Sequence, residues 1–399
     1  MKTICLDLRA LQIGHQNRGI GMHIRSILEN LSESDDRYLF YCFDESDPIE
    51  KLGIKTKVNY KIVQSPTIDT SINSFDSLLN IPRLIFHRFG PLRKLKPDVF
   101  VQFDFMLGLP RWRGIRKVMI GYDLIPLIMR NDYLPGVRHA WNHTSGKKQK
   151  IKAIMRSLYY QFRHWLHYRT YKRADKIVCI SEASSESFHK LLGIQKSRLA
   201  VSHLAPVSFD VTPDDTVAKK IGKPYIFYIG GTDVRKSLKD IVHSYNIARG
   251  RGEDIALVLA GNEFREVDNV PDIKGRNAIL YSPYRNDIHL VGFVNDSEKV
   301  GLYTHARAFA FASTFEGFGL PVVEAMAASC PVISYNNSSI PEVAGDAVRL
   351  VKTGDIVDLA CGIIELSDQK LREQRITDGV NQAKKFNWNR HVDTLVSFL

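Results

Sequence analysis

An α/β fold of two doubly wound, largely parallel domains is predicted by three observations. Short apolar runs alternate with stretches that carry one apolar helical face. The alternation runs in two series, interrupted by a Pro-, Asp- and Lys-rich segment from Ala205 to Pro224. At 399 residues, the chain is long enough for each series to bury a core of its own.

The first series opens on the strand Thr3–Leu8. A loop follows, then a helix whose apolar residues Ile24, Ile27, Leu28 and Leu31 share one face. Further strands are expected at Tyr38–Cys42, Val99–Phe103, Val118–Tyr122 and Lys176–Ile180. Ala205–Pro224 has weak periodicity and reads as a domain linker. The second series starts at once with the strand Tyr225–Ile229. A helix facing inward through Leu238, Ile241, Val242 and Tyr245 comes next, then strands at Ile255–Ala260, Ala308–Ala312 and Pro331–Tyr335.

Composition excludes several classes. With 44% hydrophobic and 25% charged residues, the chain is ordinary for a globular protein and not disordered. Its five cysteines, Cys5, Cys42, Cys179, Cys330 and Cys361, are odd in number and widely spaced. No disulfide framework or zinc site is expected, and a reducing cytoplasm fits best. Asp7 and Arg9 interrupt the N-terminal apolar run too early for a signal peptide, and no uncharged run is long enough to span a membrane. The net charge of +12 is local: Arg138 to Arg173 holds ten Lys or Arg and no Asp or Glu. Because the charge is confined there without a binding motif, no nucleic-acid partner is expected. Cations interleaved with Ile151, Ile154, Leu158, Phe162, Trp165 and Tyr168 suit an anionic membrane surface instead. A solvated helix packing its aromatic residues on the core is the other reading.

Function is most legible between Phe311 and Ser334. Ser313–Leu320 reads as a loop after a strand, and Pro321–Ala328 as a helix with Pro at its first position. Ligands of open α/β sheets bind at such strand ends, and the helix start offers N–H groups to an anion. Gly317 and Gly319 allow close backbone approach, while Glu316 and Glu324 flank them. A carboxylate accepts two hydroxyl hydrogen bonds at once, which suits a sugar or a ribose. A second loop, Gly230–Ser237, offers Gly231, Arg235 and Lys236 to a diphosphate. Each charge-assisted hydrogen bond there is worth about 1.5–3 kcal/mol. A third loop carries Gly19 and Gly21 within Gln16–Met22. In a fourth, Asp123 either caps a turn or orients an acceptor hydroxyl and takes its proton.

Glu316, seven intervening residues and Glu324, with Gly317-Phe318-Gly319-Leu320-Pro321 between them, resemble the hallmark of the retaining nucleotide-sugar glycosyltransferases of family 4. The resemblance continues through Cys330–Ile333 and Ile340–Ala347. It implies the GT-B fold: two Rossmann-like domains, 1–206 for the acceptor and 207–385 for the donor, facing a deep cleft. A C-terminal helix, 386–399, would return to the first domain after Phe386-Asn387-Trp388. The resemblance places diphosphate binding on Lys236. Where many relatives carry a second cation this chain has Gly230, so Arg235 is expected to substitute. It places Gly19 and Gly21 against the donor phosphates, Tyr122 where relatives have a histidine near the reacting sugar, and Val294 and Gly261 beside the nucleobase crevice.

The implied reaction is transfer of a hexose with retention of configuration by front-face attack. Glu316 would hold the sugar and Glu324 the ribose, while Lys236, Arg235 and the helix start at Leu320 stabilise the leaving diphosphate. No cofactor is implied, and no Asp-x-Asp metal motif occurs in the sequence. Resemblance to bacterial polysaccharide mannosyltransferases implies GDP-mannose as donor and a glycan or lipid-linked acceptor, at the inner face of the cytoplasmic membrane. A UDP-sugar donor, or a catalytically silent nucleotide- or glycan-binding protein, are the alternatives.

Overall fold

The computed structural model describes residues 1–13, 19–33, 35–43, 47–65, 89–134, 146–206 and 211–399. They form two units. One comprises Met1–Ile180, Ser184–His203 and Trp388–Leu399; the other comprises Ser181–Ala183 and Leu204–Asn387.

The first unit is built on seven strands: β1 (Thr3–Asp7), β2 (Arg37–Cys42), β3 (Tyr60–Gln64), β4 (Val99–Gln102), β5 (Arg116–Gly121), β6 (Lys176–Cys179) and β7 (Leu199–Val201). Their order is β3-β2-β1-β4-β5-β6-β7, and every described pairing is parallel. The second unit holds β8 (Tyr225–Ile229), β9 (Ala256–Ala260), β10 (Ile288–Gly292), β11 (Ala308–Phe311), β12 (Val332–Tyr335) and β13 (Arg349–Val351). These are ordered β10-β9-β8-β11-β12-β13, again all parallel.

Helices cover both faces of a parallel sheet, so its central strands are apolar along their whole length rather than alternating. β9, Ala-Leu-Val-Leu-Ala, is buried at every residue, and Leu257 and Leu259 share a core with Ile241, Tyr245 and Ile363. Each sheet has one point where strand succession reverses: between β1 and β4, and between β8 and β11. Loops leaving two such neighbours diverge, and the crevice they open at the strands' carboxyl ends is where doubly wound sheets bind ligands.

Two sequence expectations need correction. Gly19 and Gly21 do not precede the first helix; they form its first turn, Gly19–Asn30, with Gly21 buried. The rest of that loop, Gln16, Asn17 and Arg18, lies outside the described residues. Within the Ala205–Pro224 segment, residues 211–224 are not an open linker: they belong to the second unit and contain the helix Thr216–Ile221, with Ala218 buried. Asp214 packs so closely on the helix Asp296–His305 that a Cβ on Gly301 would lie 2.2 Å from its carbonyl oxygen.

The C-terminal helix Trp388–Val396 belongs to the first unit. His391, Val392 and Leu395 are buried on one face, as the i, i+1, i+4 spacing of an amphipathic helix allows. Lys2 Nζ donates to the carbonyl of Leu399 at 3.0 Å.

Candidate active site

The site in the second unit lies at its switch point, on the loops that follow β8 and β11. After β8 the chain turns through Gly230 to Asp233 into a single 3-10 turn, Val234–Lys236. Asp233 starts that turn, its carboxylate accepting the N–H of Arg235 at 3.1 Å. The adjoining loop is tied on by Thr314 N–H, which donates to the carbonyl of Arg235 at 2.7 Å. These backbone ties put two consecutive cations against one carboxylate. Arg235 Nη1 and Lys236 Nζ lie 2.5 and 2.6 Å from the same oxygen, Glu316 Oε1. Lys236 Nζ also sits 4.7 Å from the Phe311 ring centroid.

All three groups are largely buried. Burial opposes the charge on Glu316, but Lys236 and then Arg235 outweigh it and hold its pKa below the usual carboxylate range. Burial lowers the pKa of Lys236, and Glu316 acts against that shift. Glu316 is also fixed through its backbone. Its N–H donates to Ser338 Oγ at 2.9 Å, and its carbonyl accepts from Ser339 Oγ at 3.1 Å.

Gly319 ends the loop with φ +101, a left-handed value that glycine tolerates and side chains resist. A Cβ there would lie 2.6 Å from Ile340 Cδ1. Leu320 begins the helix Leu320–Ala327, and Pro321 lies in its first turn. Glu324 is buried on that helix, 3.4 Å from Lys299 Nζ. Burial pushes the Glu324 pKa up, against the pull of Lys299. Phe318 is placed differently from a ligand contact: its ring is buried against Phe386, with centroids 5.6 Å apart, so the residue offers only backbone to the crevice.

At the end of β9, Gly261 has φ +143, and a Cβ would meet the Gly230 carbonyl oxygen at 2.3 Å. The two loops therefore touch backbone to backbone. Gly230 itself has φ +154, a conformation that side chains resist. Gly231 and Thr232 lie beside Glu263, whose Oε2 accepts both the N–H and the hydroxyl of Thr232 at 2.6 Å. Val294, after β10, is partly exposed.

In the first unit, Tyr122 and Asp123 follow directly on β5. Asp123 is a cap, its Oδ1 accepting the N–H of Ile125 at 3.0 Å. Tyr122 Oη lies 2.9 Å from His23 Nδ1, one turn into the helix that Gly19 and Gly21 begin. Lys299, Glu263, Ser338, Ser339 and His23 have no counterpart in the sequence expectations. Each touches an expected site residue or its neighbour through a contact between positions far apart in the chain. For Lys299 the sequence signal was a cation on the helix after the segment expected to border a nucleobase.

Two doubly wound parallel units, the second with two cations on one buried carboxylate at its switch point, define a class, and comparison with known proteins agrees. Residues 17–204 match the model of Glycosyltransferase Family 4, and residues 214–382 that of Glycosyl transferases group 1. The chain belongs to the family 4 glycosyltransferases of GT-B fold. It is 30% identical over 228 residues to O-antigen chain mannosyltransferase B of Escherichia coli, covering 54% of this chain and 58% of that one. It is 24% identical over 281 residues to the serotype-specific mannosyltransferase WbdA of E. coli, covering 68% of this chain and 32% of that one. The chain thus spans 58% and 32% of these relatives' lengths. Among solved structures, it is similar to the sucrose-phosphate synthase of Thermosynechococcus elongatus (TM-score 0.69, 15% identity, 100% of this chain and 98% of that one). It is also similar to Anabaena HepE in complex with UDP and glucose (TM-score 0.66, 15% identity, both chains covered in full).

Proposed function

We propose that the protein is a retaining glycosyltransferase that moves mannose from GDP-mannose to a glycan or lipid-linked oligosaccharide of a bacterial surface polysaccharide. The observation that carries this reading is the convergence of Arg235 and Lys236 on Glu316 at the switch point of the second sheet, with Glu324 on the next helix. Two adjacent cations suit a diphosphate, and two carboxylates suit the hydroxyls of a sugar and a ribose. The mannosyltransferases among its relatives support mannose as the sugar.

In the reaction, the bond from the sugar's anomeric carbon to the diphosphate breaks as the acceptor hydroxyl bonds to that carbon on the same face. The hydroxyl proton passes to the leaving diphosphate. Lys236, Arg235 and the helix start at Leu320 stabilise the charge that develops there. Gly231 and Phe318–Leu320 offer backbone to the donor, and Gly261 and Val294 border the nucleobase. Tyr122 and Asp123 face the substrate hydroxyls. Release of nucleoside diphosphate from GDP-mannose, measured beside a set of UDP-sugars, tests the reading. Release from GDP-mannose alone supports it. Release only from a UDP-sugar overturns the donor, and release from none overturns the activity. Turnover is expected to survive EDTA, because protein cations do the work at the diphosphate. Loss with EDTA and rescue by Mg²⁺ or Mn²⁺ would contradict that.

The acceptor is proposed to be reached at an anionic membrane surface. The helix Lys147–Tyr171 leaves Ile151, Met155, Leu158, Phe162 and Trp165 about half exposed, at alternating spacings of four and three. They form one apolar stripe. Lys150, Lys152, Arg156 and Arg169 are exposed or partly exposed on the same helix, which has no acidic residue. Tyr168 is buried, stacked on Phe105 at 5.5 Å, and anchors the helix instead of joining the stripe. A second copy of this helix would bring like charges together, whereas an anionic surface gains up to about 1 kcal/mol per cation. No helix among the described residues is long and apolar enough to cross a membrane. Co-sedimentation with anionic liposomes at low salt is expected for the wild type and weakened by Gln at Lys150, Lys152 and Arg156. Equal, negligible pelleting of both would refute the surface.

A further inference from the structure

A chain of hydrogen bonds crosses the first unit from the end of β5 to the C-terminal helix. Tyr122 Oη lies 2.9 Å from His23 Nδ1. His23 Nε2 lies 2.7 Å from His391 Nε2. His391 Nδ1 lies 2.9 Å from Ser202 Oγ and 3.2 Å from the carbonyl oxygens of both Ser202 and His203. Both imidazoles are 1% exposed, and the Trp388 ring lies against each.

The partners determine where every hydrogen sits. Carbonyl oxygens only accept, and Ser202 Oγ directs its own hydrogen to the His391 carbonyl at 3.4 Å, so all three neighbours of His391 Nδ1 are acceptors and that nitrogen carries a hydrogen. A neutral imidazole has one N–H, so His391 Nε2 is bare and must accept. His23 Nε2 is then the donor across the 2.7 Å contact, which leaves His23 Nδ1 bare. Tyr122 must donate its hydroxyl hydrogen inward to that nitrogen. Its oxygen can then offer only lone pairs to anything else.

We propose that His23 and His391 are positioning residues that lock Tyr122 as a hydrogen-bond acceptor, so that the substrate group it takes is a hydroxyl acting as donor. The proposal rests on the reading above in which Tyr122 faces the substrate. It also gives the C-terminal helix a chemical role, since His391 sets the direction of the whole chain.

The lock holds while both rings are neutral. Burial, and after it the neighbouring His391, keeps the His23 pKa well below the usual histidine value. Burial lowers that of His391 to about 4, with the His203 and Ser202 carbonyls opposing and the His203 ring assisting. Burial, and after it the charge of Asp104 in the turn after β4, raises the pKa of the Tyr122 phenol. One added proton fits without moving a heavy atom: it enters at His23 Nδ1, which then donates to Tyr122, and the tyrosine hydrogen turns outward. Acid below the usual histidine range therefore reverses the polarity of Tyr122.

Two arms test this. In the full chain labelled with ¹⁵N-histidine at pH 7.5, long-range ¹⁵N–¹H correlations should show His391 as the Nδ1–H tautomer and His23 as the Nε2–H tautomer. Any other tautomer in either ring, the reversed pair included, or a charged ring, would overturn the lock. In the kinetic arm, His391→Gln should raise the KM for the nucleotide sugar about tenfold, roughly one hydrogen bond, with a smaller change in kcat. In the Tyr122→Phe background the same substitution should change KM no further. Additive effects would make His391 merely structural and overturn its positioning role. The tautomer arm needs no turnover. Failure of the transferase reading would show separately, as absent product from a protein whose tautomers are as stated.

Discussion

Lys236→Ala is expected to lower turnover by about 10²-fold or more, by analogy with removal of one oxyanion-hole donor, while the protein stays folded. Lys236 Nζ shares Glu316 Oε1 with Arg235, so its removal does not strand the carboxylate without a counter-charge. It does remove a buried cation from the place where diphosphate charge would develop. Steady-state release of nucleoside diphosphate, with a thermal melt as control, checks the expectation. Near-normal turnover in a folded variant would take Lys236 out of the mechanism.

The Glu316→Gln variant separates two roles of one residue. Glutamine keeps the shape but leaves Arg235 and Lys236 buried without their shared anion. Breaking such a buried pair costs about 3–5 kcal/mol, so the melting temperature should fall markedly at neutral pH. The sign of the pH dependence follows from the depressed pKa of Glu316. Its stabilisation is present above the usual carboxylate pKa and is lost as pH falls through the lower folded value. Wild type and variant should therefore converge in acid. Turnover should drop about 10²-fold or more with the sugar's partner gone. Binding of free nucleoside diphosphate should not weaken, because its phosphates can replace the missing anion. The rise in melting temperature on adding GDP should thus be larger in the variant than in the wild type. Weaker GDP binding by the variant would contradict this division of labour.

Much of the fold was legible because its central strands are buried on both faces and read as unbroken apolar runs. β3, β7, β10 and β13 did not read as strands, and they are the four edges of the two sheets. Tyr-Lys-Ile-Val-Gln in β3 has one buried residue of five, and β7 and β13 are three residues each. An edge strand covered on fewer sides need not be apolar, so its sequence blends with loops. The helix start at Gly19 was misplaced because Gly-x-Gly signals a loop, whereas here the glycines form the first helical turn.

The site was legible where its residues are close in sequence. Glu316, Arg235 and Lys236 stand in the connections after strands, and Glu324 on the helix that follows one of them, where glycines and flanking strands announce them. What was not legible is long-range. The Lys299–Glu324 pair joins different helices, and His23 meets His391 across nearly the whole chain. No local pattern marks such partners, because only the folded sheet order brings them together.

The central claim is that the second unit binds a nucleotide sugar through its diphosphate. Calorimetric titration of GDP-mannose into wild type and Lys236→Ala tests it most directly. Saturable one-site binding to the wild type and clearly weaker binding to the variant are expected. Equal affinity in both, or no binding of GDP-mannose or any UDP-sugar to the folded wild type, would contradict it.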